Sequence, residues 1–245
     1  MKSTIKLFMI FGTILISLIP TTQISAQVYG NAAASHHAVQ LNNCYASPSP
    51  RVNWSGCHVG NAEVHFANMT GANLSYIVAQ NGLFYNVNLS GANLKNSVLA
   101  GGNFAYSDLS GADLRGADLR NADFYHANLS GVDMRGANLA GARFPGVDFS
   151  NANLSGQNMS HTNIIGADLS DADLQNAILV GVDMRNAIFD DTDLRGANLE
   201  NSDVTGGSFA DSDLTGANLG GLDYSGTEMS CRGSPVCHKT DSDNP

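Results

Sequence analysis

Basic residues are scarce in this sequence. Only 12 Lys and Arg stand against 22 Asp and Glu among its 245 residues, so the formal net charge is −10. Binding to nucleic acid depends on Lys and Arg that neutralise phosphates. The charge balance therefore excludes nucleic acid as a direct ligand.

Motifs for catalysis or cofactor binding are also lacking. The chain has no nucleophile elbow, zinc-protease helix, P-loop or dinucleotide fingerprint. The segment Asp191-Thr192-Asp193-Leu194-Arg195-Gly196 is similar to the start of a calcium loop, but Arg195 stands at a ligand position and the closing Glu is missing. We therefore expect no enzyme, no cofactor and no metal ion.

Long apolar runs are absent apart from Leu7 to Ile19, which follow Lys2 and Lys6 and precede a small-residue exit ending at Ala26. A permanent membrane anchor needs about 20 apolar residues. The pattern predicts a signal peptide over residues 1–26. Its cleavage removes two Lys, leaving 10 basic and 22 acidic side chains, a net charge of −12. We expect an exported chain without stable membrane insertion, periplasmic or extracellular, or in the thylakoid lumen if the host is photosynthetic.

The rest of the chain is dominated by a five-residue repeat. Two plain copies are Ala112-Asp113-Leu114-Arg115-Gly116 and Ala117-Asp118-Leu119-Arg120-Asn121. The apolar centre of the unit recurs at every fifth position from Trp54 to Met229, which makes 36 units without an insertion. A small residue stands two places before each centre, and Gly or Asn is favoured two places after it.

A period of five excludes both a helix and a continuous strand. Five helical residues advance about 140° beyond a full turn, and five strand residues reverse the face. A chain that turns a corner once per unit points every centre inward. Centres occupied by Phe fall in two sets at multiples of 20 residues, which predicts four units per coil and about nine coils: Phe84, Phe104, Phe124, Phe144; Phe149, Phe189, Phe209.

The repeated phrase resembles the pentapeptide-repeat family over about 180 of the 245 residues. The resemblance implies an all-β fold, a right-handed quadrilateral β-helix, and we assign residues 52–230 to it. Residues 27–51 and 231–245 differ in composition. We expect an N-terminal cap, and a C-terminal cap with a flexible tail.

The chain has four cysteines, two near each end. An even number in an exported chain predicts disulfides, and the economical pairings are Cys44 with Cys57 and Cys231 with Cys237. A metal site is the alternative, either from Cys44, Cys57 and His58 with His36 or His37, or from Cys231, Cys237 and His238. These spacings match no standard zinc pattern.

One surface feature stands out from the repeat. Aspartates recur every 20 residues in two neighbouring columns, which we call the acidic ridge: Asp171, Asp191 and Asp211 at the corners, and Asp173, Asp193 and Asp213 two residues later. Like charges stacked about 5 Å apart repel each other. The ridge is either tolerated because water screens it, or it serves a partner or a weakly held cation.

The leading hypothesis is a non-enzymatic, extracytoplasmic scaffold, structural or protein-binding, with an unidentified and basic protein partner. The alternative is an acidic DNA mimic that acts on a topoisomerase such as gyrase, as some pentapeptide-repeat proteins do. Export argues against this alternative because gyrase is cytoplasmic. End-to-end pairing of two rods into a homodimer is left open.

Overall fold

Every fifth residue from Arg51 to Gly226 has a positive φ angle, between 50° and 75°, in a computed structural model that describes residues 44–237. Half of these 36 corner residues are Gly and nine are Asn, the types that tolerate this conformation best. Each corner is the third residue of a four-residue turn, as where Ala117 N donates to Leu114 O at 3.0 Å. A positive φ at that position is the signature of a type II turn.

Between corners the chain forms single parallel bridges to the residue 20 positions away. Within residues 44–237 there is no helix and no strand longer than one bridge residue. The bridge residue precedes each centre, and the bridges form four columns: face A starts at Asn53, face B at His58, face C at Glu63 and face D at Asn68. Residues 51–230 thus make nine four-sided coils, which confirms the predicted coil size and number.

Adjacent coils are joined by regular backbone hydrogen bonds. On face A, Leu94 N donates to Asp113 O at 2.8 Å and Asn96 N donates to Arg115 O at 2.9 Å. In return, Asp113 N donates to Ala92 O at 3.0 Å. Because each coil supplies partners for the next, the ladder pairs most backbone groups without long strands.

The axis is filled by the centres and by the small residues two places before them. Leu119 and Phe124 are fully buried, whereas Leu219 and Tyr224 in the last coil are only partly buried. The first Phe column stacks with centroid distances of 4.9, 5.0 and 5.1 Å from Phe84 through Phe104 and Phe124 to Phe144. Phe189 and Phe209 stack at 4.5 Å.

Glycine at a small position makes room for two of these rings. A Cβ atom on Gly82 would lie 2.4 Å from the ring of Phe84, and one on Gly102 would lie 2.7 Å from the ring of Phe104. The choice of Gly here therefore follows from the aromatic centre that comes two residues later.

The bridge columns have a single gap in the described part of the chain, between Asn138 and Asn158 on face B. The cause is Gln157, which occupies a small inward position and is 3% exposed. Its Nε2 donates to Ala137 O at 2.6 Å, the acceptor that Asn158 N would use in a regular ladder. Its buried Oε1 has no hydrogen-bond partner in residues 44–237.

Replacing Gln157 by Ala is expected to stabilise the protein. An unpaired buried acceptor destabilises the fold by about 1–3 kcal/mol, and the change removes it. The change also frees Ala137 O to accept a hydrogen bond from the backbone N–H of Asn158. Chemical denaturation should show a higher free energy of unfolding, and hydrogen exchange should show new protection of the Asn158 amide. A lower free energy of unfolding would contradict this expectation, because it would show that the Gln157 side chain stabilises the fold.

Both ends of the solenoid carry a disulfide in the structure. Cys44 bonds to Cys57, and the Trp54 indole donates to Ala46 O at 3.2 Å, so residues 44–50 lie against the first coil. Cys231 bonds to Cys237 in the segment that follows the ninth coil. The predicted signal peptide, most of the predicted N-terminal cap with His36 and His37, and residues 238–245 lie outside the described residues. In residues 44–237 we find no helix that could cross a membrane.

Candidate interaction surfaces

Asn and Asp at the bridge positions have a structural role. Their Oδ1 accepts a hydrogen bond from the backbone N–H two residues later; Thr70 N donates to Asn68 Oδ1 at 3.1 Å, and Gln175 N donates to Asp173 Oδ1 at 3.1 Å. This local bond supports the turn at each corner. Most outward Asn and Asp are thus explained by the fold and need no ligand.

Ion pairs follow face A from the third to the fifth coil. Asp113 pairs with Lys95 at 3.0 Å and with Arg115 at 2.8 Å, and Asp133 pairs with Arg135 at 2.7 Å. The hydrogen bond from Arg115 is the main cause that lowers the pKa of Asp113 to about 2. The basic side chains are substantially exposed, so each pair contributes about 0–1 kcal/mol.

The acidic ridge divides into paired and unpaired charges. On face A, Asp193 pairs with Arg195 at 2.6 Å and Asp213 with Arg232 at 3.1 Å. The pKa of Asp193 is lowered chiefly by its hydrogen bond from Arg195. The pKa of Asp213 is lowered chiefly by its hydrogen bond from Thr215.

The corner aspartates carry most of the free charge of the ridge, and Asp173 in the neighbouring column, which forms no ion pair in the described residues, carries the rest. Asp171, Asp191 and Asp211 are exposed, and none belongs to an ion pair of the described residues. They have φ angles of 55–58°, a conformation that Asp tolerates better than most residues. The ladder brings them together in successive coils, with Asp171 N bonded to Asp190 O and Asp191 N bonded to Ala210 O.

The segment that is similar to a calcium loop points its second residue, Thr192, into the core. Thr192 is 1% exposed, and its hydroxyl donates to Leu169 O at 2.8 Å. Asp193 is engaged by Arg195. These contacts give Thr192 and Asp193 structural partners in place of a cation.

A second surface, which the sequence analysis missed, is an aromatic strip at the corner between faces C and D. It consists of Phe66, Tyr85, Tyr106 and Tyr125, one in each of the first four coils. Their ring centroids are 5.6, 5.7 and 5.5 Å apart, in edge-to-face contacts. Desolvation by burial is the main cause that raises the pKa of Tyr106. A spacing of 19–21 residues is the sequence signal that could have revealed the strip.

The fold does not require this strip. Phe66 and Tyr106 have φ angles of 58°, which costs a bulky residue roughly 1–2 kcal/mol. Edge-to-face contacts can offset part of that cost, at about 0.5–1.5 kcal/mol per pair. However, the same corner in the fifth and sixth coils is formed by Gly146 and Gly166. The aromatic side chains therefore call for an explanation beyond turn formation.

Ser107 shapes the corner in the middle of the strip. Its hydroxyl donates to Phe84 O and accepts a hydrogen bond from Val87 N at 3.0 Å. It thereby replaces the direct turn bond between Phe84 and Val87. This inserted hydroxyl lies under Tyr85 and Asn86, the two residues at the tip of that turn.

A four-sided coil stacked on a parallel bridge ladder defines a solenoid of the β-helix class. A family model described as pentapeptide repeats matches in eight copies, over overlapping stretches that run from residue 83 to residue 230. The chain therefore belongs to the pentapeptide-repeat family, as the repeat predicted. Its fold is a right-handed quadrilateral β-helix, and members of the family are generally structural or binding proteins.

Several solved structures are similar to this chain. A trypsin-treated variant of QnrB1, a plasmid-mediated fluoroquinolone resistance protein, is 25% identical over 70% of this chain and 85% of its own, with a TM-score of 0.47. HetL from the cyanobacterium Nostoc, involved in heterocyst differentiation regulation, is 26% identical over 78% and 95%, with a TM-score of 0.34.

A pentapeptide repeat protein from the thylakoid lumen of Arabidopsis thaliana is 29% identical over 40% of this chain and 65% of its own, with a TM-score of 0.24. None of the curated proteins matches the chain.

Proposed function

We propose that this protein is a non-enzymatic scaffold that works outside the cytoplasm and binds a basic protein partner along its acidic ridge. The observation that carries the proposal is the stack of corner aspartates, Asp171, Asp191 and Asp211, which are exposed and form no ion pair within residues 44–237. The neighbouring column is partly neutralised by Arg195 and Arg232. A basic partner would supply the missing charge at the corners.

The rigidity of the solenoid supports this role. Stacked coils hold the carboxylates at the spacing of parallel strands, about 5 Å, without a loop that must be ordered on binding. The scaffold itself would therefore lose little conformational freedom when it binds a partner with a matching row of Lys or Arg. The net charge of −10 would also accelerate its encounter with the ridge.

A triple variant tests the ridge. In Asp171→Asn/Asp191→Asn/Asp211→Asn the turn-forming shape is kept and three charges are lost. Affinity capture from the envelope or culture fraction, with the mature protein as bait, should recover a basic partner with the wild type. The triple variant should capture at least tenfold less of it, and wild-type capture should fall steeply as salt rises.

A matched control removes the same charge from the opposite side. Asp123→Asn/Asp203→Asn/Asp223→Asn changes three carboxylates on face C and should capture the partner like the wild type. If the ridge variant still bound every wild-type partner, the ridge would be ordinary solvated surface. Equal losses in both variants would mean that only net charge matters.

Export is tested separately by cell fractionation and N-terminal sequencing. We expect the mature chain to begin at or near Gln27, outside the cytoplasm, with both disulfides oxidised, because structural disulfides persist in oxidising compartments. Full-length protein in the cytosol would contradict export. That result would favour the alternative, a DNA mimic that acts on a topoisomerase such as gyrase.

A further inference from the structure

Two rings of the aromatic strip form the walls of a surface cleft. Phe66 in the first coil and Tyr106 in the third stand on either side of it, and Asn86 and Val87 of the second coil form its floor. The cleft has a volume of about 390 Å³. Phe66 and Tyr106 are 67% and 49% exposed, so both rings have surface available for a ligand.

The polar residues along the cleft have a fixed orientation. Oδ1 of Asn68 accepts the backbone N–H of Thr70 at 3.1 Å, and Oδ1 of Asn88 accepts that of Ser90 at 3.0 Å. A backbone N–H must meet an oxygen, so these bonds settle which amide atom is which. The two Nδ2 groups are consequently the free ends, and neither has an acceptor within the described residues.

Asp108 completes the lining of the cleft with an acceptor. Its Oδ1 accepts the backbone N–H of Ser110 at 2.9 Å. Its Oδ2 forms no hydrogen bond or ion pair within the described residues. The cleft therefore combines two aromatic walls, two amide donors and one carboxylate acceptor, a mixture that suits a ligand whose groups both donate and accept.

We propose that the aromatic strip binds a neutral oligosaccharide, with one sugar ring held between Phe66 and Tyr106. The C–H faces of a sugar pack against aromatic rings, while its hydroxyls accept from the amides of Asn68 and Asn88 and donate to Asp108. An anionic ligand is disfavoured by Asp108 and by the net charge of −10. The Lys and Arg side chains of a basic peptide have no acceptor for the two amide donors.

The dimensions of the strip indicate how a chain of sugars would lie. Successive rings come from successive coils, which advance about 4.8 Å along the axis, and they alternate between the corner and the position before it. The rings also follow the axis of the rod through four coils. A linear chain of sugars would therefore run along the corner, with its firmest contact at the cleft.

Corner variants test this proposal while preserving the fold. In Phe66→Asn/Tyr106→Asn both walls are replaced by the residue that forms nine other corners with positive φ. Tyr76→Asn is the matched control, because Tyr76 also has a φ of 58° and is 62% exposed but lies at the corner between faces A and B. Thermal unfolding should show that all these variants fold.

Binding is measured by titration calorimetry with cellohexaose and chitohexaose as neutral probes and an Arg-rich peptide as the charged probe. We expect at least one hexasaccharide to bind the wild type and the Tyr76→Asn control with the same dissociation constant, at low and high salt alike. The double variant should bind it at least tenfold more weakly.

Three outcomes would overturn the proposal: no binding of either hexasaccharide to the wild type, equal weakening by Tyr76→Asn, or strip-dependent binding of the peptide alone. The last result would identify a basic peptide site. None of these outcomes tests the proposed binding at the acidic ridge, which lies on a different corner and is expected to depend on salt.

Discussion

Leu119→Asp is expected to abolish cooperative folding. Leu119 is fully buried in the axis of the fourth coil, where its column neighbours are Leu99 and Leu139. A carboxyl group at this site would find no hydrogen-bonding partner, and burying an unpaired polar or charged group costs several kcal/mol. This loss is comparable to the whole stability of a typical domain. Circular dichroism on heating should show no cooperative transition.

Arg120→Asp introduces the same side chain one residue away and is the control. Arg120 is half exposed and forms one ion pair, with Asp118 at 2.8 Å. Losing this pair and adding a like charge at the surface should cost about 1 kcal/mol. If the two variants unfolded at the same temperature, the inward register of the centres would be wrong.

Phe124→Ala is expected to lower the free energy of unfolding by about 3–5 kcal/mol, because it leaves a cavity in the middle of a stack of rings. Phe124 lies 5.0 Å from Phe104 and 5.1 Å from Phe144, centroid to centroid. Neighbouring coils cannot close the gap, since the bridge ladder fixes their separation. Denaturant titration measures the loss.

Phe124→Leu is the companion variant and should lose less than half as much, because Leu fills most of the space and is the usual centre in this chain. A loss below about 1 kcal/mol for Phe124→Ala would contradict the account, since surface substitutions give values of that size. It would mean that the aromatic column adds little to the core.

The coil could be predicted because its rule is local. Each unit must turn a corner and bury one centre, and this requirement gives the sequence a period of five residues. No insertion interrupts the period between Trp54 and Met229. The Phe column could be predicted as well, because Phe residues that recur every 20 positions stack when one coil is 20 residues long. Both features repeat, and repetition is what a single sequence displays most clearly.

The exceptions could not be predicted from the same rule. Gln157 occupies a small position, but the sequence does not say that its amide takes Ala137 O and opens the ladder. The aromatic strip alternates between two positions of the unit, Tyr85 before the corner and Tyr106 at it, so no single column shows it. The pairing of Asp213 with Arg232 depends on the segment that follows the last coil.

The six aspartates of the acidic ridge differ in their ion pairing in the structure. Arg195 engages Asp193, and Arg232 engages Asp213, while the corner residues Asp171, Asp191 and Asp211 have no such partner among residues 44–237. The free charge is therefore narrower than the sequence indicated. It lies in the corner row along one edge of the last three coils and at Asp173 in the neighbouring column, which also forms no ion pair within residues 44–237.

The corner aspartates, which we propose serve a partner, are expected to cost the fold some stability. Denaturant unfolding of Asp171→Asn/Asp191→Asn/Asp211→Asn at low salt tests this claim without knowledge of that partner. Asn forms nine corners with the same φ, and removing stacked like charges relieves repulsion. We predict a free energy of unfolding higher by about 0.5–1 kcal/mol, a gain that disappears at high salt. A variant less stable than the wild type would contradict the claim, because it would show that the fold itself depends on these carboxylates.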